Sequence, residues 1–507
     1  MVSNWEELNQ KTIDLFQAGR YNEALQAANE AVEAARAAGD QGRLALALSN
    51  LGEMCQTTGD LANAEKAKLE AVELYQQVYG PEHPETAATL YSLGVLYMEM
   101  GRFPQAEQLF RQMLSIGEKS QGAEHIDLVQ GLIGLAESAR AQGRMEEARG
   151  SLERAADLME KTLGNSDPEL GPVLVSLADT YQDESGLEKA GTLLRRAIKL
   201  YEDTVGPEHP AFVEALGKLA ENYLARGMYQ AAQALLEQAV SLLQDGQEQD
   251  EQLAHLLEEL AEAYLRTGQN DKAEPRLVQA VELYQKTLGE EHPSTAQARN
   301  ALGEFYFAQG KADQAKPLYE AALQAREKAL GPHHPAVAQS LNNLAVLLAR
   351  EGKFDEAEPL HVRALAIRRE AFGEKHLVVS QSLENLAGVC QGKKEYQRGE
   401  QLLQEAISIL EQTMGKDHPL IAEDCYNLGA LLFAEEKYEQ AEKQLQRARR
   451  ILNDRYGKDH MNLCAVYNAL SAVCEKLGRP LEAQGYMQHV ASIYKQEWAR
   501  MDQEKKS

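Results

Sequence analysis

Eight histidines recur at matching places along this 507-residue chain: His83, His125, His209, His292, His334, His376, His418 and His460. They belong to loops of the form Gly-x-x-His-Pro or a degraded version of it, and a regular row of imidazoles suggests metal binding. The spacing argues against it. Most loops start 42 residues apart, at Gly80, Gly122, Gly164, Gly206, Gly289, Gly331, Gly373, Gly415 and Gly457. Equivalent residues of stacked helical units are separated by at least a helix spacing, roughly 8–10 Å, whereas zinc holds its nitrogens about 2.0–2.1 Å away. The one adjacent pair, His333–His334, supplies too few ligands alone. In Gly164-Asn165-Ser166-Asp167-Pro168 an aspartate, a strong N-cap, takes the histidine's place. The histidines are therefore expected to cap helices or pack loops.

No other reactive constellation emerges. The five cysteines, Cys55, Cys390, Cys425, Cys464 and Cys474, form no Cys-x-x-Cys pair, and three of them replace the Tyr or Leu of other repeats. They read as free thiols filling core sites. There is no phosphate-binding glycine loop, His-Glu-x-x-His run or nucleophile elbow. Acidic pairs such as Glu258-Glu259 and Glu435-Glu436 read as solvated helix faces. Neither an enzymatic activity nor a cofactor is expected. With 52 Lys+Arg against 78 Asp+Glu, the net charge of −26 opposes binding to nucleic acid or an anionic membrane. The start lacks a basic region followed by an apolar run, and no 18-residue apolar stretch follows. The expectation is a soluble cytoplasmic protein.

The elements that carry these loops are helices. A fixed period of this size marks a repeat array, in which length counts units instead of domains. In the unit from Pro335 to Gly373, Leu341, Leu344, Ala345 and Leu348 form an i, i+3, i+4, i+7 stripe. Glu351-Gly352-Lys353 breaks that helix, and Phe354, Ala357, Leu360, Ala364 and Ile367 line a second. Glycine suits the left-handed residue just past a helix end, and proline the first turn of the next. Small residues recur in both helices, as at Gly52, Gly94, Ala345 and Gly429 and at Ala64, Ala106, Ala357 and Ala441, where they let helices approach closely.

The pattern Leu-x-x-Leu-Ala/Gly-x-x-Tyr, then Gly, an aromatic and Ala, resembles the tetratricopeptide repeat. Its 42-residue form, as in Leu341-Asn342-Asn343-Leu344-Ala345 through Phe354-Asp355-Glu356-Ala357 to Gly373-Glu374-Lys375-His376, is similar to kinesin light chain repeats. The resemblance implies an all-α fold: a right-handed α-solenoid superhelix of stacked helix-turn-helix units spanning residues 1–507. About twelve units are expected, at 5–38 and then starting near 43, 85, 127, 169, 211, 252, 294, 336, 378, 420 and 462. Gly206 to Gly289 spans two periods less one residue, so a softer joint is expected at 244–251. A polar tail is expected at 499–507, after a last helix that caps the array. Kinesin light chains also carry a heptad segment ahead of their repeats; here the first hairpin starts by Trp5, so the chain is not read as a motor subunit.

The resemblance further implies a concave groove lined by the first helix of each unit. In the unit starting near 336 that face carries Gln339, Asn343, Val346 and Arg350. The residue two before the small one is Asn50 near the start and forms a ladder of Asn343, Asn385 and Asn427 near the end. With Gln381 and Glu423 these make the candidate peptide-binding groove, since an amide can both donate to and accept from a peptide backbone. The alternative is that each Asn satisfies a neighbouring helix. Just after the small residue come Glu53, Val95, Glu137, Asp179, Glu221, Glu262 and Glu304, six of them carboxylates, then Val346, Gly388, Ala430 and Ala472. The groove is thus expected to be acidic first and neutral later. Lys218, Arg266 and Arg350 are too scattered to grip a C-terminal carboxylate. The expected partner is a protein or peptide with a basic or neutral extended segment, bound by a non-catalytic scaffold. The alternative is a regulatory or assembly module that self-associates or flexes.

Overall fold

The computed structural model describes residues 5–183, 185–243 and 250–504, with side chains through residue 499. The described residues form 24 α-helices, from Trp5–Gln17 to Pro480–Glu504, one short 3-10 turn at Met461–Leu463, and no strand. The joint expected at 244–251 falls mostly outside them; Asp250 opens a helix that runs to Arg266. Two compact units are present: Met1–Gly246 with Glu262–Gln269, and Gln247–Ala261 with Asn270–Ser507. Within each, consecutive helices pack as hairpins, for example Pro335–Arg350 with Phe354–Phe372.

The histidine loops are helix punctuation. In all eight, Nδ1 accepts a hydrogen bond from the backbone N–H two residues on, at 3.1–3.3 Å, as from Glu85 to His83 and from Ala336 to His334. Asp167 accepts from Glu169 in the same way at 2.9 Å. This occupies an orphan donor of the helix start, and a lone pair used so is not offered to a metal. Tyr79, Phe372 and Tyr456 stack on the histidines four residues later, with ring centroids 4.8–4.9 Å apart.

Gly39, at the end of the first hairpin, is the expected left-handed residue, with φ 69° and ψ 14°. Six later glycines that end second helices differ: Gly80, Gly122, Gly331, Gly373, Gly415 and Gly457 have φ of 82–97° and ψ of 157–165°, a region open essentially to glycine alone. From there the chain reaches the histidine cap of the next helix three residues on, as from Gly80 to His83. The cysteines are buried and free, as expected.

Each small residue of a first helix faces the residue sixteen positions later on its partner. A Cβ on Gly52, Gly94, Gly303 or Gly429 would stand 2.6–2.7 Å from Lys68, Phe110, Tyr319 or Leu445. Where the first helix carries Ala instead, as at Ala345 and Ala387, the partner is His361 or Leu403. Glycine makes room for Lys68, Phe110 and Tyr319, the longest and bulkiest of these partners, whereas leucine is met by glycine at Gly429 and by alanine at Ala387.

The last helix carries an apolar stripe of Met487, Val490, Ile493, Tyr494 and Trp498, of which Val490 and Ile493 are buried while Met487, Tyr494 and Trp498 are 49%, 47% and 76% exposed. The stripe is wider than the surface beneath it, because no following helix covers its outer half among the described residues. Asp179 also departs from expectation: its helix, Leu170–Ala178, ends one residue earlier, so Asp179 sits at the helix end and not on its face.

Candidate peptide-binding cleft

Between the first helices Pro335–Arg350, Leu377–Gly392 and Pro419–Ala434 lies a cleft of about 380 Å³. It gathers Arg350, Asn385 and Asn427 from the expected groove, together with Val346 and Gly388 from the neutral stripe. The cleft exists because side chains shrink along that stripe: a Cβ on Gly388 would meet nothing within 4 Å. Of the other expected groove residues, Gln339, Asn343, Gln381 and Glu423 do not line it, and Asn50 lies in the other unit.

The asparagine ladder is wired across repeats. Asn343 Nδ2 donates to Glu304 Oε1 at 2.7 Å, Asn385 Nδ2 to Asn342 Oδ1 at 2.8 Å, and Asn427 Nδ2 to Glu384 Oε1 at 3.0 Å. Asn50 does the same in the other unit, donating to Asn9 at 2.7 Å. Each bond reaches from one first helix to the one before it. An amide has two N–H donors and a carbonyl oxygen, so one donor holds the side chain in place and the rest of the group stays oriented.

The carboxylate stripe is largely engaged by the chain itself. Glu53 accepts from Lys68 Nζ at 2.9 Å and from Ser92 Oγ at 2.6 Å. Asp179 pairs with Arg140 at 3.5 Å, Glu221 with Lys218 at 3.1 Å, and Glu262 with Arg266 at 3.4 Å. Glu304 holds Asn343, and Glu137 is exposed. Burial pushes the Asp179 carboxyl up, against the pull of Lys218 and Arg140.

Three residues that the repeat pattern did not single out complete the cleft's chemistry. Glu384 lines it and shares a hydrogen bond with Asp424, which is only 2% exposed. Burial raises both carboxyls well above the usual carboxylate range; repulsion from Glu423 adds to this at Glu384, where hydrogen bonds with Asp424 and Asn427 act the other way, and repulsion from Glu384 and Glu423 adds to it at Asp424. Burial and repulsion thus favour protonation of the pair. His361, also lining the cleft, is 1% exposed, and its Nδ1 has no hydrogen-bond partner. Burial and then Arg368 push its pKa down to about 4, so the ring is neutral.

Asp424 has a readable origin. In the two preceding repeats its place is held by Ser340 and Ser382, each receiving a buried arginine from the preceding helix: Arg326 Nη1 to Ser340 Oγ at 3.0 Å, Arg368 Nη1 to Ser382 Oγ at 2.7 Å. The next arginine position is Leu410. This repeat therefore exchanges an Arg–Ser contact for a Leu and a buried acid. Fourteen-residue offsets between second and first helices carried that signal in the sequence.

One other cluster invites comparison with a metal site. Ligand atoms of Glu442, Cys474 and Glu482 lie within 4.8 Å of one another. Arg479 stands among them, bonded to Glu442 and Glu482, and already offsets their charge. No helix among the described residues is long and apolar enough to cross a membrane.

Helix hairpins stacked by small-residue contacts, with an open cleft on their first helices, define a repeat scaffold of the protein-interaction class. The tetratricopeptide repeat profile matches residues 43–119, 127–190, 171–245, 252–304, 297–370, 337–412, 378–453 and 424–496, and the chain belongs to that family. It is similar to BtubC (BKLC) from P. vanneervenii, with 26% identity over 45% of this chain and 92% of that one, at a TM-score of 0.41. It is also similar to the nearly identical TPR-like repeats of a kinesin light chain candidate from Podosopora anserina. That match has 30% identity over 41% of this chain and 99% of the other, at a TM-score of 0.37. The Q17M form of those repeats matches at 30% identity over 40% and 96%, also at 0.37. No curated protein matches the chain. Tetratricopeptide repeats are generally non-catalytic protein-interaction scaffolds.

Proposed function

We propose that this chain is a non-catalytic scaffold that holds an extended peptide segment of a partner protein in the cleft of Arg350, Asn385 and Asn427. The observation that carries the reading is the cleft itself, which is open at Gly388 and flanked by two amides held in fixed orientation. An extended backbone offers alternating N–H and C=O groups, and an oriented amide meets both without paying to order itself. The wall formed by Val346, Ala349 and Leu431 adds apolar surface for an alternate side chain.

Gly388 supplies a test that separates binding from folding. Gly388→Leu puts a side chain into open space, and replacing glycine inside a helix favours folding by roughly 0.5–1 kcal/mol. The variant should be at least as stable as the parent yet fill the cleft. Peptides selected from a random displayed library on the full chain should lose affinity for it by tenfold or more, on the order of 1.4 kcal/mol. Selected peptides that bind Gly388→Leu as tightly as the parent would remove the cleft from the proposal.

A further inference from the structure

Of the paired carboxyls, Glu384 lines the cleft and Asp424 lies buried beside it, and no cation among the described residues pairs with either. The groups acting on them are each other, Glu423 and the Asn427 amide, which donates to Glu384. Arg350 faces the same cleft from the helix before, but its guanidinium lies over the Phe307 ring at 4.5 Å. His361 and Arg368 belong to Phe354–Phe372; the first is neutral and the second is bound to Val378 and Ser382. Arg447, on the second helix of Asp424's own hairpin, pairs with Glu411 at 2.5 Å. The preceding helix, Tyr396–Met414, contributes Leu403 to the cleft and Leu410 where Arg326 and Arg368 have their counterparts. The buried acid thus stands without the arginine that reaches the same place in the two repeats before.

We propose that the Glu384–Asp424 pair is the recognition point for one lysine or arginine side chain of the bound segment, which enters the cleft beside Glu384. This rests on the reading of the cleft as a peptide site and names the chemistry the peptide must carry. Four features converge on it. Asp424 is buried and acidic where the neighbouring repeats place serine. The chain's matching arginine is absent. Gly388 leaves the approach open. His361 Nδ1, buried at the wall and without a partner, offers a further acceptor to an ammonium or guanidinium donor. A cation that enters favours the ionised pair, so its binding releases protons to solvent and leaves the complex closer to neutral than the ionised pair alone.

The test uses the full chain and a random dodecapeptide library displayed on phage. Enriched peptides are synthesised, and each Lys or Arg is replaced in turn by norleucine or citrulline. Titration calorimetry in buffers of different ionisation enthalpy then reads proton release at about pH 6.5 and about pH 8.5. One cationic residue is expected whose neutral analogue binds tenfold or more weakly. Its peptide should release up to one proton at the lower pH and bind more tightly at the higher. Asp424→Ser, which installs the residue of the neighbouring repeats, should abolish the proton release and bring the cationic and neutral peptides to equal affinity. Peptides that Gly388→Leu rejects but that show no cation preference or no proton release overturn this inference and leave the cleft reading standing. Absence of any peptide sensitive to Gly388→Leu overturns both.

Discussion

In the N-terminal unit Glu53 accepts from an ammonium that is itself 1% exposed, Lys68, and from Ser92 of the next repeat. In the C-terminal unit Glu384 and Asp424 face each other and Glu423, and no cation among the described residues pairs with them. Both sites are built from first-helix carboxylates in equivalent hairpins. The first is a structural strut whose charge is used up inside the fold; the second is a buried acid without such a partner. Net charge does not separate them, nor does position along a stripe. What separates them is whether the second helix brings a cation to the same place.

The largest effect is expected where the strut is cut. Glu53→Ala leaves the Lys68 ammonium buried with only Gln56 Oε1 and Ser92 O as acceptors. Breaking one side of a buried pair is strongly destabilising, and the half-exposed Glu53 lowers the figure to about 2 kcal/mol. Adding Lys68→Leu, the residue at that place in the hairpins of Leu152, Leu194 and Leu236, should restore most of it. Urea unfolding of the single and double variants measures this. A Glu53→Ala chain as stable as the parent would put Glu53 back among the free groove acids.

The counterpart in the C-terminal unit runs the other way. The folded carboxyls are raised above their unfolded values, so the folded chain holds more protons than the unfolded one from about pH 4 to near neutrality, and stability falls as pH rises. Asp424→Ser removes that penalty. Its stability relative to the parent should grow by about 2 kcal/mol between about pH 4 and about pH 8. Glu258, raised to about 7 by burial, slopes the same way in both chains and cancels in the difference. Parallel pH profiles for the two proteins would show that Asp424 titrates as an ordinary acid.

The sequence made the hairpins and their punctuation legible because both are local. A period of 42 residues, a helical stripe and a capping position need only neighbours along the chain. The histidine caps could be inferred from Asp167 alone. The glycine torsions were misjudged because sequence reveals that φ must be positive and says nothing of ψ. The cleft was half legible. Asn385, Asn427 and Arg350 stood out as recurring or face-sharing residues, whereas Glu384, Asp424 and His361 did not recur and so carried no periodic signal. Their meaning depends on contacts between hairpins: a serine exchanged for an acid is visible in one helix, but the missing arginine is on another. Acidity read along a single stripe likewise could not show that Glu53, Asp179, Glu221 and Glu262 already have partners.

The same comparison sets the smallest prediction, on the amides. Asn50 in the N-terminal unit and Asn385 in the C-terminal unit each donate one hydrogen bond back to the preceding first helix, at 2.7 and 2.8 Å. As struts they are equivalent, so Asn50→Ala and Asn385→Ala should each cost about 1 kcal/mol in unfolding free energy. As ligands they are not equivalent, because only Asn385 borders the cleft. Peptides that Gly388→Leu rejects should bind Asn50→Ala as they bind the parent and bind Asn385→Ala several-fold more weakly. Equal loss of affinity in both variants would mean that the amides act on binding only by stiffening the stack, and the contact with the peptide backbone would have to be assigned to other residues of the cleft.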